Sequence, residues 1–150
     1  MKVAILLDGV MCDTDSLKDE WFSRLGDMKF LQDAAFWVAL RPYEGVSDAI
    51  KCLSKHDLYV FAERPKSAFL PTRAWLRNNC GLSLNKDRLI VPSLNRYDCR
   101  INGIDVFVCL AGPEVENMKT ETVRPVTTYG VGEGATLLDV AELIDEDFCD

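Results

Sequence analysis

Long apolar runs are missing from this chain. The run Val3 to Leu7 is far short of the ~20 residues that a membrane span needs, and too short for a secretory signal core. The expectation is therefore a soluble, cytoplasmic protein with no membrane partner. Histidine is nearly absent, with His56 standing alone. It falls at a predicted helix end, where a cation suits the dipole, and no Ser or Cys motif supports a catalytic use. A surface role is expected for it. The six cysteines, Cys12, Cys52, Cys80, Cys99, Cys109 and Cys149, contain no Cys-x-x-Cys spacing, which removes the common zinc and redox motifs. Several lie in apolar stretches and serve as small hydrophobes. Reduced thiols are expected, with Cys149, near the terminus, left open to oxidation.

Positive charge is also scarce: Lys and Arg total 17 against 24 Asp and Glu, giving a net charge of −7 and a pI near 4.7. Such a surface repels phosphate backbones at long range, which disfavours a general nucleic-acid-binding role. Lys66, Arg73 and Arg77 read as a solvated helix side. Gly130-Val131-Gly132-Glu133-Gly134-Ala135-Thr136 precedes a helix but lacks the Walker Lys-Ser/Thr, and Glu133 repels phosphate, so a strand-to-helix turn is expected. Asp13, Asp15, Asp19 and Glu20 do not follow the EF-hand pattern and suit a helix start. Glu142, Asp145, Glu146, Asp147 and Asp150 read as a solubilising tail.

What is present is core material. A chain of 150 residues that is 48% hydrophobic suits one globular domain. Apolar runs predict buried strands over 2–7, 58–62, 89–91, 104–110 and 123–131. Helical spacing predicts helices over 14–40, interrupted at Gly26, then over 46–56 and 68–79. Thr14 or Asp15 is the expected cap of the first. A last helix opens at Thr136, with Asp139 placed for a capping box. Buried strands alternating with helices imply an α/β fold: a doubly wound, Rossmann-like parallel sheet with helices on both faces. The segment at about 14–40 is a short helical cap insertion in that scheme.

The opening Lys2-Val3-Ala4-Ile5-Leu6-Leu7-Asp8-Gly9-Val10-Met11-Cys12-Asp13 resembles the start of haloacid dehalogenase (HAD) superfamily chains. There a strand runs into Asp-x-Asp-Gly-Val-Leu. Phe36-Trp37, the Pro42-Tyr43-Glu44-Gly45 turn and the later Arg64-Pro65 are similar to the phage and bacterial 5′(3′)-deoxyribonucleotidase branch. The resemblance spans about 2–118 and implies a phosphatase fold. It also marks where this chain departs from that chemistry. The nucleophilic Asp falls on Leu6, the phosphate-binding Thr on Ala62, and the Lys on Asn95 with Arg96 adjacent. The Mg²⁺-holding acidic pair falls on Cys109 and Leu110.

Asp8 and Gly9 match, with Asp8 at the general acid/base position, and Asp13 matches the later Asp of the motif. Phe36 and Trp37, which the resemblance places near a nucleobase pocket, read from the sequence as packing. Phosphoryl transfer rests on positioning and charge stabilisation, and these substitutions remove the groups that supply it. A register with Asp8 itself as nucleophile still lacks the metal ligands. The expectation is thus a catalytically inactive HAD-like protein without cofactor or metal. It would act as a binding, assembly or structural module with a protein partner or by self-association. Two alternatives stand beside it: a weak Mg²⁺-dependent nucleotidase using Asp8 with Arg64 or Arg96, and a small-nucleotide sensor without turnover.

Overall fold

The computed structural model describes residues 1–113, 115 and 126–148. Its strands are β1 (Lys2–Leu6), β2 (Asp57–Phe61), β3 (Leu89–Ile90), β4 (Val106–Leu110) and β5 (Thr127–Val131). They form one sheet in the order β3-β2-β1-β4-β5, every neighbouring pair parallel. Val3 lies between Leu58 and Val106, and Ile5 between Val60 and Val108. All six side chains are buried. A sheet covered on both faces needs continuous apolar strands rather than alternating ones, which is why these segments read as unbroken runs.

The helices are α1 (Thr14–Leu25), α2 (Ala34–Ala39), α3 (Val46–Leu53), α4 (Phe69–Cys80), α5 (Asn95–Ile101) and α6 (Leu137–Asp147). Short 3-10 turns lie at Lys29–Gln32 and Lys66–Ala68. Around the sheet, α3 packs on α6 and α2 on α4. The Trp75 indole N–H donates to the Leu40 carbonyl at 2.7 Å, tying α4 to the end of α2. From β1 the chain steps outward to β2 and β3, then returns to β4 and β5 on the other side. That reversal opens a crevice at the carboxyl ends of β1 and β4, where α/β folds place their sites. The α/β, Rossmann-like architecture is as the sequence predicts. No helix among the described residues is long and apolar enough to cross a membrane.

Several local expectations change. The cap of α1 is Asp13, not Thr14 or Asp15, because its carboxylate accepts from the Ser16 N–H at 3.1 Å and the Ser16 hydroxyl at 2.6 Å. The 14–40 segment divides into α1, a 3-10 turn and α2, with Asp33 capping the last through the Ala35 N–H. Helix α3 ends at Leu53, short of His56. Helix α5 is an addition that the sequence reading lacks. Strand β4 begins at Val106 rather than Ile104, and β5 at Thr127. Residues 123–125 of the predicted last strand, Met118 at the end of the family resemblance, and Cys149 and Asp150 lie outside the described residues. The capping box of α6 forms as predicted: Thr136 Oγ1 accepts from the Asp139 N–H at 3.1 Å, and Asp139 Oδ2 from the Thr136 N–H at 3.0 Å.

Candidate functional site

The loop after β1 is pinned before it reaches any site residue. The Leu7 N–H donates to the Phe61 carbonyl at 2.9 Å, extending the ladder with β2 by one residue. The Gly9 N–H then donates to the Cys12 carbonyl and the Met11 N–H to the Leu7 carbonyl, closing a tight turn. Leu6 ends β1 and is buried. Asp8 follows two residues later, just beyond the end of β1.

The Asp8 carboxylate is already engaged. Arg64 follows β2, the neighbouring strand, and its guanidinium meets Asp8 through two nitrogens. Nε lies 3.2 Å from Oδ1 and 3.0 Å from Oδ2, while Nη2 lies 2.7 Å from Oδ1. The Thr14 hydroxyl also donates to Asp8 Oδ1. Arg64 Nη1 donates to Thr72 Oγ1 at 2.8 Å, and its guanidinium carbon stands 4.4 Å from the Trp37 ring centroid. The Arg64 side chain is 1% exposed and that of Asp8 22%. A planar guanidinium gripped by a carboxylate, a hydroxyl and an aromatic face is fixed in position, not waiting for an anion. Beside it the Cys12 thiol is pushed up to about 11, foremost by burial; the Thr14 contact lowers it and the Asp8 charge raises it again.

On the β2–β3 side, the Ala62 N–H donates to the Ile90 carbonyl and the Ala62 carbonyl accepts from the Ser93 N–H at 3.0 Å. Ala62 is buried and offers no side-chain donor. Asn95 opens α5 and is buried too. Its Nδ2 donates to Glu63 Oε1 at 2.7 Å, and its Oδ1 accepts from the Ser93 hydroxyl at 3.1 Å. Asp98 Oδ2 accepts from the Leu94 N–H and the Ser93 hydroxyl. The single Ser93 hydroxyl proton is shared between Asn95 Oδ1 and Asp98 Oδ2 in this network. Arg96, half-buried, lines a cavity of about 610 Å³ bordered also by Arg64, Glu63 and Asn95.

On the β4–β5 side the character changes. Cys109 is buried inside β4, opposite Gly130. A Cβ on Gly130 would stand 2.7 Å from the Ala111 backbone, so the close approach of these strands requires glycine. Leu110 ends β4 with 43% exposure and lies over Gly9, where a Cβ would meet its Cδ1 at 2.7 Å. Gly9 has φ of 87°, a conformation glycine adopts without steric cost. Next to this contact lies a second cavity, of about 420 Å³, with largely apolar walls. Asp8 lines neither cavity.

The structure thus brings together Asp8 and Arg64, places Asn95 and Arg96 on the neighbouring side, and seats Leu110 on Gly9. Asp13 is not part of the group: it is exposed and caps α1. Thr14, Thr72 and Trp37 hold the Asp8–Arg64 pair, and sequence reading missed these roles. The one available signal was that Asp8 and Arg64 each follow a predicted strand. Phe36 and Trp37 are buried in an aromatic cluster with Trp21 and Phe30, as packing requires. His56 is half-buried, not a surface cation. Its Nε2 has no partner among the described residues, and burial, followed by the N-terminal and Lys55 charges, pushes its pKa below 6.5. Lys66, Arg73 and Arg77 are exposed along the α4 region. Among the described residues no disulfide joins the cysteines, and no three His, Cys, Asp or Glu side chains gather as a metal site.

No family model matches this chain, and no curated protein does. Among solved structures, it is similar to the L-2-haloacid dehalogenase of Xanthobacter autotrophicus, determined with chloropropionic acid covalently bound. The match has a TM-score of 0.53 and 12% identity, covering 95% of this chain and 97% of that one. At that identity the likeness concerns the fold alone, the α/β, Rossmann-like parallel sheet.

Proposed function

We propose that this chain is a catalytically inactive HAD-like protein that works as a binding, assembly or structural module, descended from the deoxyribonucleotidase-like branch that its Phe36-Trp37 and Arg64-Pro65 motifs resemble. The observation that carries the reading is the state of Asp8. Both of its oxygens are taken by the Arg64 fork, and one also by Thr14. A carboxylate so held is a poor nucleophile and a poor proton donor, since its lone pairs and charge are spent on a buried cation. The residues around it offer no replacement. Leu6 and Leu110 carry no heteroatom, Ala62 donates nothing from its side chain, and Asn95 is committed to Glu63 and Ser93.

Mg²⁺, implied by the enzymes of this resemblance, wants hard oxygen ligands in octahedral array. A thiol and a leucine at the end of β4, beside an arginine-bound carboxylate, do not suit it. What Asp8 and Arg64 do in this reading is structural: the pair bridges the loops after β1 and β2 and fixes the rim of the sheet. Partners are a protein or a second copy of the chain, visible by light scattering or pull-down. The direct test is incubation with Mg²⁺ and p-nitrophenyl phosphate or deoxynucleoside monophosphates. No turnover above buffer is expected. Turnover that disappears in Asp8→Asn overturns the reading in favour of a nucleotidase.

A further inference from the structure

The 420 Å³ cavity beside Gly9 sits at the switch point of the sheet, the place where α/β folds bind ligands, and its size lies within the small-molecule range. Its walls come from separate elements: Val10 from the loop after β1, Val46 from the start of α3, Leu110 and Val131 from the ends of β4 and β5, and Leu137 from the start of α6. Val10, Val46, Val131 and Leu137 are buried members of the core, so this is the edge of the packed interior left open. No lysine, arginine or histidine lines it, and the one charged lining residue is Glu44, beside Tyr43.

Two carboxylates stand at that opening, Glu44 in its wall and Asp139 bonded to Thr136. The Tyr43 phenol is pushed up by burial first, and then by Asp13, Cys12 and Asp15. Helix α6 begins at the cavity, and a helix start ordinarily attracts anions. Here the capping box spends the Thr136 N–H on Asp139 and adds a carboxylate at that end. The Asp139 carboxyl stays ionised, because its bonds to Thr136 hold it below the ordinary value. The carboxylates of Glu44 and Asp139 disfavour an anion at this cavity and favour an apolar body carrying a cation.

We infer that this cavity binds a small ligand with an apolar, ring-sized body and an ammonium group, the body seated among Val10, Val46 and Leu137 and the ammonium beside Glu44. The inference rests on the preceding reading in one respect, that this rim does not serve phosphate. The test is a titration of the isotopically labelled full chain with naphthylmethylamine and, separately, naphthylacetate, which share a ring system and differ in charge. Saturable shifts at Val10, Leu110, Val131 and Leu137 are expected with the amine, which should bind at least about tenfold tighter than the acetate. Glu44→Gln should bring the two affinities together, and Ala135→Phe, which fills the cavity, should abolish both. Nuclear Overhauser contacts from the naphthyl protons to the Val46 and Leu110 methyls check the pose in the unmodified chain, whatever the stability of the variants. Equal binding of the two compounds, shifts confined to other residues, or no shift at millimolar amine overturns the inference. Phosphatase turnover lost in Asp8→Asn strikes the earlier reading instead, and the amine titration is judged separately from it.

Discussion

The two sides of the strand-end rim differ in kind. Over β1 and β2, a buried arginine, a carboxylate, two threonine hydroxyls and an indole face form a closed polar unit. Over β4 and β5, leucine, valine and glycine leave an open apolar recess. The polar side fixes geometry and borders the 610 Å³ cavity; the apolar side opens on the 420 Å³ recess. A catalytic rim needs charge that is free to act; here Arg64 borders the 610 Å³ cavity but is committed to Asp8 and Thr72, and the apolar recess carries only Glu44. The engaged state of Asp8 and Arg64 is the physical content of the proposal that this chain does not catalyse phosphoryl transfer.

The sharpest way to break the comparison is on the polar side. Removing one partner of a buried pair leaves the other uncompensated, so Arg64→Ala should cost about 3–5 kcal/mol and lower Tm by about 10 °C. Thermal denaturation measures it. On the apolar side Leu110→Ala, at a half-exposed position, should cost less than about 1 kcal/mol in the same experiment. A double-mutant cycle with Asp8→Asn and Arg64→Met should then give a coupling of about 2 kcal/mol; independent effects would mean that the contact does not hold the rim.

A smaller effect is expected where the two sides meet. Gly9→Ala places a Cβ in a left-handed conformation and against the Leu110 side chain. The backbone part should cost about 1–2 kcal/mol. Adding Leu110→Ala should relieve the contact but leave that part in place, as urea midpoints would show.

Smaller still are the titrations. Cys12 keeps its proton in the folded chain to about 11 against an ordinary value of 9.0, so the unfolded chain ionises first and stability falls as pH rises from 9. Cys80 behaves likewise through burial. Cys12→Ala should therefore flatten the alkaline limb of the denaturation profile. His56 runs the other way and lies away from the rim. Its folded pKa is depressed, so the unfolded chain binds the proton more readily and stability falls as pH drops below 6.5. His56→Gln should remove that slope.

How far the sequence carried this picture depends on whether each feature is local. Strands β1, β2 and β4 were legible because a buried parallel strand has a continuous apolar run as its whole signature. The α6 start was legible because a capping box closes within four residues, Thr136 to Asp139. Helix α5 was not: its Asn-Arg-Tyr-Asp-Cys-Arg-Ile stretch buries only Asn95, Asp98 and Cys99, so no apolar period marks it. Leu6, Ala62, Asn95, Cys109 and Leu110, where the resemblance expects other residues, could be read one at a time. The Asp8–Arg64 pair could not, since its members are 56 residues apart and meet only because β1 and β2 are neighbours. Thr14 shows the same limit: it looked like a cap, but its neighbour Asp13 takes that role and its own hydroxyl turns to Asp8.

Fluorine NMR of the chain with Mg²⁺ and beryllium fluoride tests the central claim most directly, because an active HAD aspartate captures fluoroberyllate as a phosphoryl mimic. The account predicts only free fluoroberyllate resonances, identical for the unmodified chain and Asp8→Asn. A protein-bound resonance that requires Mg²⁺ and vanishes in Asp8→Asn would contradict it.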